Sequence, residues 1–376
     1  NLFYGFLLEL VKRLTIIQRI FFMTDNYQLV KTRLQTPLDN GDTVCNLCLW
    51  RCRLRHGQRG FCQAHVNRNG VLYNLSYGII SAIDIEAIEN KPVYHYRPGT
   101  RVMSIGSYGC NFRCKGCHNL DISWGVEALD KLAKGESTDA WVKPEQIVEL
   151  ALKHGVEGIA FTYSEPAVWL EYVIDVGRLA KQAGLYTVYV SNSYVTKEAL
   201  EQVAPYIDVL CSDVKSLSDE FYRDVCPTST VAQVLASIKQ AHDLGIHVET
   251  RTNVIPGKND DPAELKRIAE WIRDNLGEDS PWHVTKFFPA YQLSHVPETP
   301  HAIINVAAEN AKTIGLKNVY AHTDISCDCA SENLTVDDWL GKSADEVRQA
   351  NKCAASCCGE EGILVKKFEK AAGLLK

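Results

Sequence analysis

The chain has 376 residues, a formal net charge of −6, 46% hydrophobic and 23% charged residues, and 14 cysteines against 2 methionines. These fractions fit an ordinary globular protein of two or three domains at about 150 residues each, and they exclude a wholly disordered chain, a collagen and a multi-span membrane protein. The mild acidity argues against indiscriminate nucleic-acid binding by the whole surface.

The first methionine is Met23, and the stretch Leu2 to Phe22 is apolar but broken by Glu9, Lys12, Arg13 and Arg19. No unbroken run reaches the ~20 residues that span a bilayer, and no basic region precedes it as in a secretory signal. We read residues 1–22 as an extension upstream of a start at Met23. The alternatives are an amphipathic helix on the body or on a membrane surface, and an anchor.

Residues 23–100 hold Cys45, Cys48, Cys52 and Cys62 in a C-x2-C-x3-C-x9-C pattern, among Arg51, Arg53, Arg55, His56, Arg59 and Arg68. Thiols at such short gaps suit a shared metal, and a reducing, cytoplasmic setting keeps them unpaired. This reads as a small metal-stapled module that holds either zinc or an auxiliary iron–sulfur cluster. Its arginines form a solvated face, with RNA or an acidic protein partner as the alternative. A connecting stretch then runs to a turn at Arg97-Pro98-Gly99.

Residues 101–320 alternate short apolar runs with segments of helical period, the mark of βα units on a parallel sheet. Strands are expected at Val102–Ser107, Gly158–Tyr163, Tyr186–Asn192, Val209–Asp213, His247–Val254 and His283–Phe288. Helices are expected at Pro144–His154, Val168–Ala183, Lys197–Val203, Val231–Leu244 and Pro262–Leu276. Six units are too few for a full barrel, so the fold class is α/β, a partial (β/α)6 TIM-like barrel. In such barrels the functional groups gather at the C-terminal ends of the strands. Cys211 and Cys226 read as packing residues.

Residues 321–376 form a Cys-rich tail with Cys327, Cys329, Cys353, Cys357 and Cys358. These thiols would ligate a further cluster, bind a corrinoid cobalt, act as redox thiols, or lie as plain cysteines on small helices.

The central motif is Cys110-x3-Cys114-x2-Cys117, directly after the first expected barrel strand. Three thiolates leave one iron of a [4Fe-4S] cube without a protein ligand, free to chelate a small molecule. Zinc, with His118 as fourth ligand, is the alternative.

With its strand-end motifs in order, the chain resembles the radical S-adenosylmethionine (SAM) superfamily, in particular the glycyl-radical-enzyme (pyruvate formate-lyase) activating enzymes and the AmmeMemoRadiSam-system proteins. The resemblance runs from about Cys45 to Tyr320. It includes the four-cysteine module and the segment Ile88-Glu89-Asn90-Lys91-Pro92-Val93-Tyr94-His95-Tyr96. It implies that Cys110, Cys114 and Cys117 hold the catalytic [4Fe-4S] cluster and that SAM binds its open iron. It also implies that Glu165 meets the SAM amino group, the alternative being an acid at the helix N-terminus beside Pro166; that Asn192 in Ser191-Asn192-Ser193 meets the cofactor; and that Lys215 in Asp213-Val214-Lys215 pairs with its carboxylate, the alternative being a solvated loop pair. Arg251 and Asn253 are read as contacts to cofactor or substrate, or as structural hydrogen-bonding groups.

Two residues depart from the family pattern: Ser193 stands where relatives often have Gly, and Gly116 where most have an aromatic that packs near the adenine. The function implied is reductive cleavage of SAM to a 5′-deoxyadenosyl radical that takes a hydrogen atom from a protein or peptide, with an electron donor such as ferredoxin or flavodoxin. The alternatives are a cobalamin-dependent radical C-methyltransferase acting on a peptide residue, and a non-catalytic iron–sulfur or zinc protein. No membrane or nucleic-acid partner is expected.

Overall fold

The computed structural model describes residues 29–136, 141–228 and 230–322. Residues 1–22 and the tail thiols Cys327, Cys329, Cys353, Cys357 and Cys358 lie outside the described residues. No helix among the described residues is long and apolar enough to cross a membrane.

The four-cysteine region is built from very short strands: β1 (Val30–Lys31), β2 (Gln35–Pro37), β3 (Thr43–Cys45), β4 (Arg53–Leu54), β5 (His65–Arg68) and β6 (Val71–Asn74). They make two three-stranded sheets, ordered β1-β6-β5 and β2-β3-β4. Arg51, Arg53 and Arg55 of this module stay exposed, as the solvated face read from the sequence, while Arg59 and Arg68 are partly buried against the body. Arg51 pairs with Glu198 at 3.1 Å, Arg59 pairs with Asp130, and Arg68 donates to Ala133 O at 2.6 Å.

One eight-stranded sheet follows, ordered from β7 (Ala82–Ala87) through β8 (Arg101–Gly106), β9 (Gly158–Phe161), β10 (Tyr186–Ser191), β11 (Val209–Asp213), β12 (His247–Val254) and β13 (Trp282–Lys286) to β14 (Val319–His322). Only β7 runs antiparallel; β8 to β14 pair in parallel, and the two edge strands do not pair with each other. The sheet is therefore a partial barrel, as expected, with two strands beyond the six that the βα period showed. The helices Pro144–Lys153, Leu170–Gln182, Lys197–Val203, Val231–Asp243 and Pro262–Leu276 return the chain between strands. Helix His301–Thr313, before β14, was not anticipated.

Strand residues alternate between two buried faces, as parallel sheets require. One face packs under the helices, where Trp169 and Trp282 are fully buried. The other lines the barrel interior, where Val102, Ala160, Val188, Val209 and Cys211 close on Ile88 and Val93 of the segment 88–96. That segment plugs the barrel. Glu249 on β12 ties it in, accepting hydrogen bonds from the backbone N–H groups of Tyr94 (2.9 Å) and His95 (2.8 Å) and lying against His247 (3.0 Å) and His283 (2.8 Å).

Burial pushes the Glu249 carboxyl up, but the two imidazoles and the Tyr94 N–H outweigh it and hold the group at about 2. An unfolded glutamate titrates near ~4.3, so this stabilisation is complete above that pH and disappears as pH falls toward 2. We expect E249Q to lose about 2–4 kcal/mol of unfolding free energy at pH 7 in urea titrations. The gap to wild type should close between pH 5 and pH 2, and a gap independent of pH would contradict this assignment.

Candidate functional site

The segment between β8 and the helix Leu120–Trp124 carries Cys110, Cys114 and Cys117 in irregular backbone. Its polar groups find partners outside itself, as buried backbone must. Gly109 N–H donates to Ile122 O (3.0 Å), Lys115 N–H donates to Val225 O (2.9 Å), and the Trp50 indole N–H donates to Asn111 O (2.8 Å). The Asn111 amide donates to Tyr194 O, and that of Asn119 to Tyr163 O, both at 2.9 Å. Gly109 sits at φ +102, and a Cβ there would come within 2.9 Å of Cys62 O, so only glycine fits.

The ends of the parallel strands surround this loop. Glu165, 1% exposed, follows β9. Its carboxylate accepts from Ser191 Oγ (2.8 Å), Asn192 N (2.8 Å) and Ala167 N (3.1 Å). It thereby caps the turn Pro166–Trp169 and joins β9 to β10. A carboxylate has about four acceptor sites, so one remains open for a further donor. Burial raises the Glu165 carboxyl against those N–H donors. Asn192 directs its amide at Cys110 Sγ, 3.6 Å away, and Phe112 N–H lies 3.4 Å from the same sulfur.

Ser193 keeps the left-handed backbone that a glycine would take there, φ +55, with its hydroxyl 2.6 Å from Ser212 Oγ.

Asp213, at the end of β11, pairs with Lys215 and with Arg251 Nε of β12, the latter at 2.7 Å. All three side chains are mostly buried, at 14–16% exposure, which sets aside a solvated loop pair. Burial would raise the Asp213 carboxyl, but the Arg251 and Lys215 cations win and hold it below the usual carboxylate range. Lys215 in turn acts on the Cys114 and Cys117 thiols. The Arg251 contact is thus to Asp213, while Asn253 donates to Lys286 O at 3.1 Å.

Burial, then the Glu165 carboxylate, raises the Cys110 thiol. Burial, then Cys114, pushes Cys117 up to about 11. Cys114 goes down, chiefly through a hydrogen bond with Cys226. Cys226 and Cys211 both pack in the core, as read from the sequence, and the Cys226 thiol also meets the loop at Cys114. Phe287 is a residue that sequence reasoning missed. It is 2% exposed, and a Cβ on Gly116 would meet its ring at 3.0 Å, so Phe287 occupies the space beside the position that lacks an aromatic.

The loop thiols, Glu165, Asn192, Asp213, Lys215 and Arg251 therefore form one connected group. Cys45, Cys48, Cys52 and Cys62 form a second group beneath the loop. Among the described residues no three His, Cys, Asp or Glu side chains converge as ligands of one metal ion. A cubane cluster asks for one thiolate on each of three irons rather than convergence on a point, and the donor set of the loop fits that demand.

A parallel partial barrel with a three-cysteine loop over its C-terminal edge defines a class, and comparison with known proteins agrees. The family model described as the radical SAM superfamily matches residues 104–272. This chain belongs to that superfamily, which implies a [4Fe-4S] cluster and SAM as cofactors and an enzymatic role. The uncharacterized protein MJ0808 of Methanocaldococcus jannaschii is 38% identical over 283 residues, covering 75% of this chain and 82% of that one. Pyruvate formate-lyase 1-activating enzyme of Escherichia coli is 25% identical over 179 residues, covering 47% of this chain and 70% of the enzyme. A crystal structure of a domain of pyruvate-formate lyase-activating enzyme from Bacteroides vulgatus superposes with a TM-score of 0.37 at 19% identity, over 43% of this chain and 98% of that one. A superposition that loose carries no weight for function.

The Asp213 knot has a measurable consequence. D213N leaves two mostly buried cations without their anion and should cost about 3–5 kcal/mol in urea unfolding. A loss below about 1 kcal/mol would mean the three groups behave as a solvated surface pair.

Proposed function

We propose that Cys110, Cys114 and Cys117 ligate the [4Fe-4S] cluster and that the adjoining strand ends bind SAM, for radical chemistry on a protein or peptide. The observation that supports this best is the convergence of the three-thiol loop with Glu165, Asn192 and the Asp213–Lys215–Arg251 knot at one edge of the sheet. When bound, cluster and SAM together supply a 5′-deoxyadenosyl radical for hydrogen abstraction.

The residues of this chain bind, orient and shield. Glu165 keeps one acceptor site for the SAM ammonium, a charge-assisted pair in a buried setting. Asn192 donates toward the Cys110 sulfur and steadies its charge. Lys215, held by Asp213, is placed to pair with the SAM carboxylate, while Phe287 screens the loop from water at Gly116. The electron comes from a low-potential donor of the ferredoxin or flavodoxin kind. A protein substrate is supported by the relatives named as activating enzymes of pyruvate formate-lyase.

Anaerobically reconstituted protein, given dithionite and SAM, should release 5′-deoxyadenosine. C110A/C114A/C117A should release none and lose about four irons per chain. Absence of deoxyadenosine from fully iron-loaded wild type would overturn the reading.

A further inference from the structure

The module of residues 29–75 has no strand longer than four residues. Its buried side chains join the core of the barrel, and its four cysteines are all free thiols, so no disulfide holds the loops between these short strands. Three of them are buried, and Phe61 N–H lies 3.5 Å from the sulfur of the fourth, Cys52.

The sulfurs of Cys52 and Cys62 flank Gly60, at 3.7 and 3.8 Å from where its Cβ would stand. His65, 1% exposed, lies with Nδ1 3.5 Å from Cys62 Sγ and leaves Nε2 buried without a partner. An orphaned polar atom of that kind beside four thiols marks a missing group.

The module also grips the Cys110–Cys117 loop. Trp50 stacks on Phe61 (centroids 4.3 Å) while its indole N–H holds Asn111 O. Arg113 lies 5.2 Å from the centre of the Phe61 ring and donates to Phe61 O at 2.7 Å. Gly109 rests on Cys62 O and the Ala64 methyl. Trp50 lies between Cys48 and Cys52 in sequence, and Phe61 directly precedes Cys62, so the grip is made by neighbours of the thiols.

We propose that Cys45, Cys48, Cys52 and Cys62 hold a thiophilic metal centre whose task is to brace the Cys110–Cys117 loop. The four sulfurs do not converge on one point.

The test starts from C110A/C114A/C117A, so its result is independent of what the loop itself binds. Metal analysis of this full-length variant should find about one zinc, or about four irons with sulfide, and so distinguish the two occupants. Replacing Cys48 and Cys62 by Ser in that background should remove the same metal. No metal in the first variant, or equal metal in both, overturns the site. The brace is read by hydrogen exchange in W50F, which keeps every thiol and loses the indole N–H. Exchange at 109–113 should quicken about ten-fold with metal content and exchange at 262–276 unchanged. Unchanged exchange at 109–113 would overturn the brace.

Discussion

Everything near the site follows from one constraint: three thiols must stand still on backbone that belongs to no helix or strand. A sheet satisfies its own N–H and C=O groups, whereas an irregular loop has to borrow partners. Here the partners come from far apart in the chain. Trp50 and Phe61 of the module, Ile122 and Ser123 just after the loop, Tyr163, Tyr194 and Val225 each take or give a hydrogen bond. Their shared feature is position, since the strand ends among them lie on the C-terminal edge that a parallel sheet gathers on one side.

The same topology explains the electrostatics. Parallel register sets Asp213 beside Arg251, so a buried carboxylate meets a cation across a strand pair. Lys215, two residues on, completes the knot and acts on the thiols through its charge. Glu165 works differently, being held by N–H and O–H donors rather than by a cation, which leaves it charge to spare for a cationic ligand. At the opposite end of the interior, Glu249 anchors the plug through Tyr94 and His95. One carboxylate thus closes the barrel and others serve its open end.

Much of this was legible in the sequence because it is local. The three-cysteine spacing, the strand-end triplets and most of the βα period are each contained within a few consecutive residues. What escaped is what topology alone creates. Cys226 lies more than a hundred residues from Cys114, and Phe287 reaches the space beside Gly116 from the far end of β13. Strand β7, Ala-Ile-Asp-Ile-Glu-Ala, passed for a linker because acids occupy its alternate positions. Strand β14 is four residues long, and helix His301–Thr313 buries three alanines with a single isoleucine, too faint an apolar stripe. For the module arginines, composition shows charge, whereas only the fold shows that Arg59 and Arg68 lie partly buried against the body.

The central claim is that the loop leaves one iron of its cluster open and that the strand ends present SAM to it. Electron paramagnetic resonance of the dithionite-reduced, iron-loaded protein tests this directly. Adding SAM should shift the g-values of the reduced cluster, and SAM labelled with 17O in its carboxylate should show a hyperfine coupling to it. A reduced-cluster signal that SAM leaves unchanged, with no such coupling, would contradict the account.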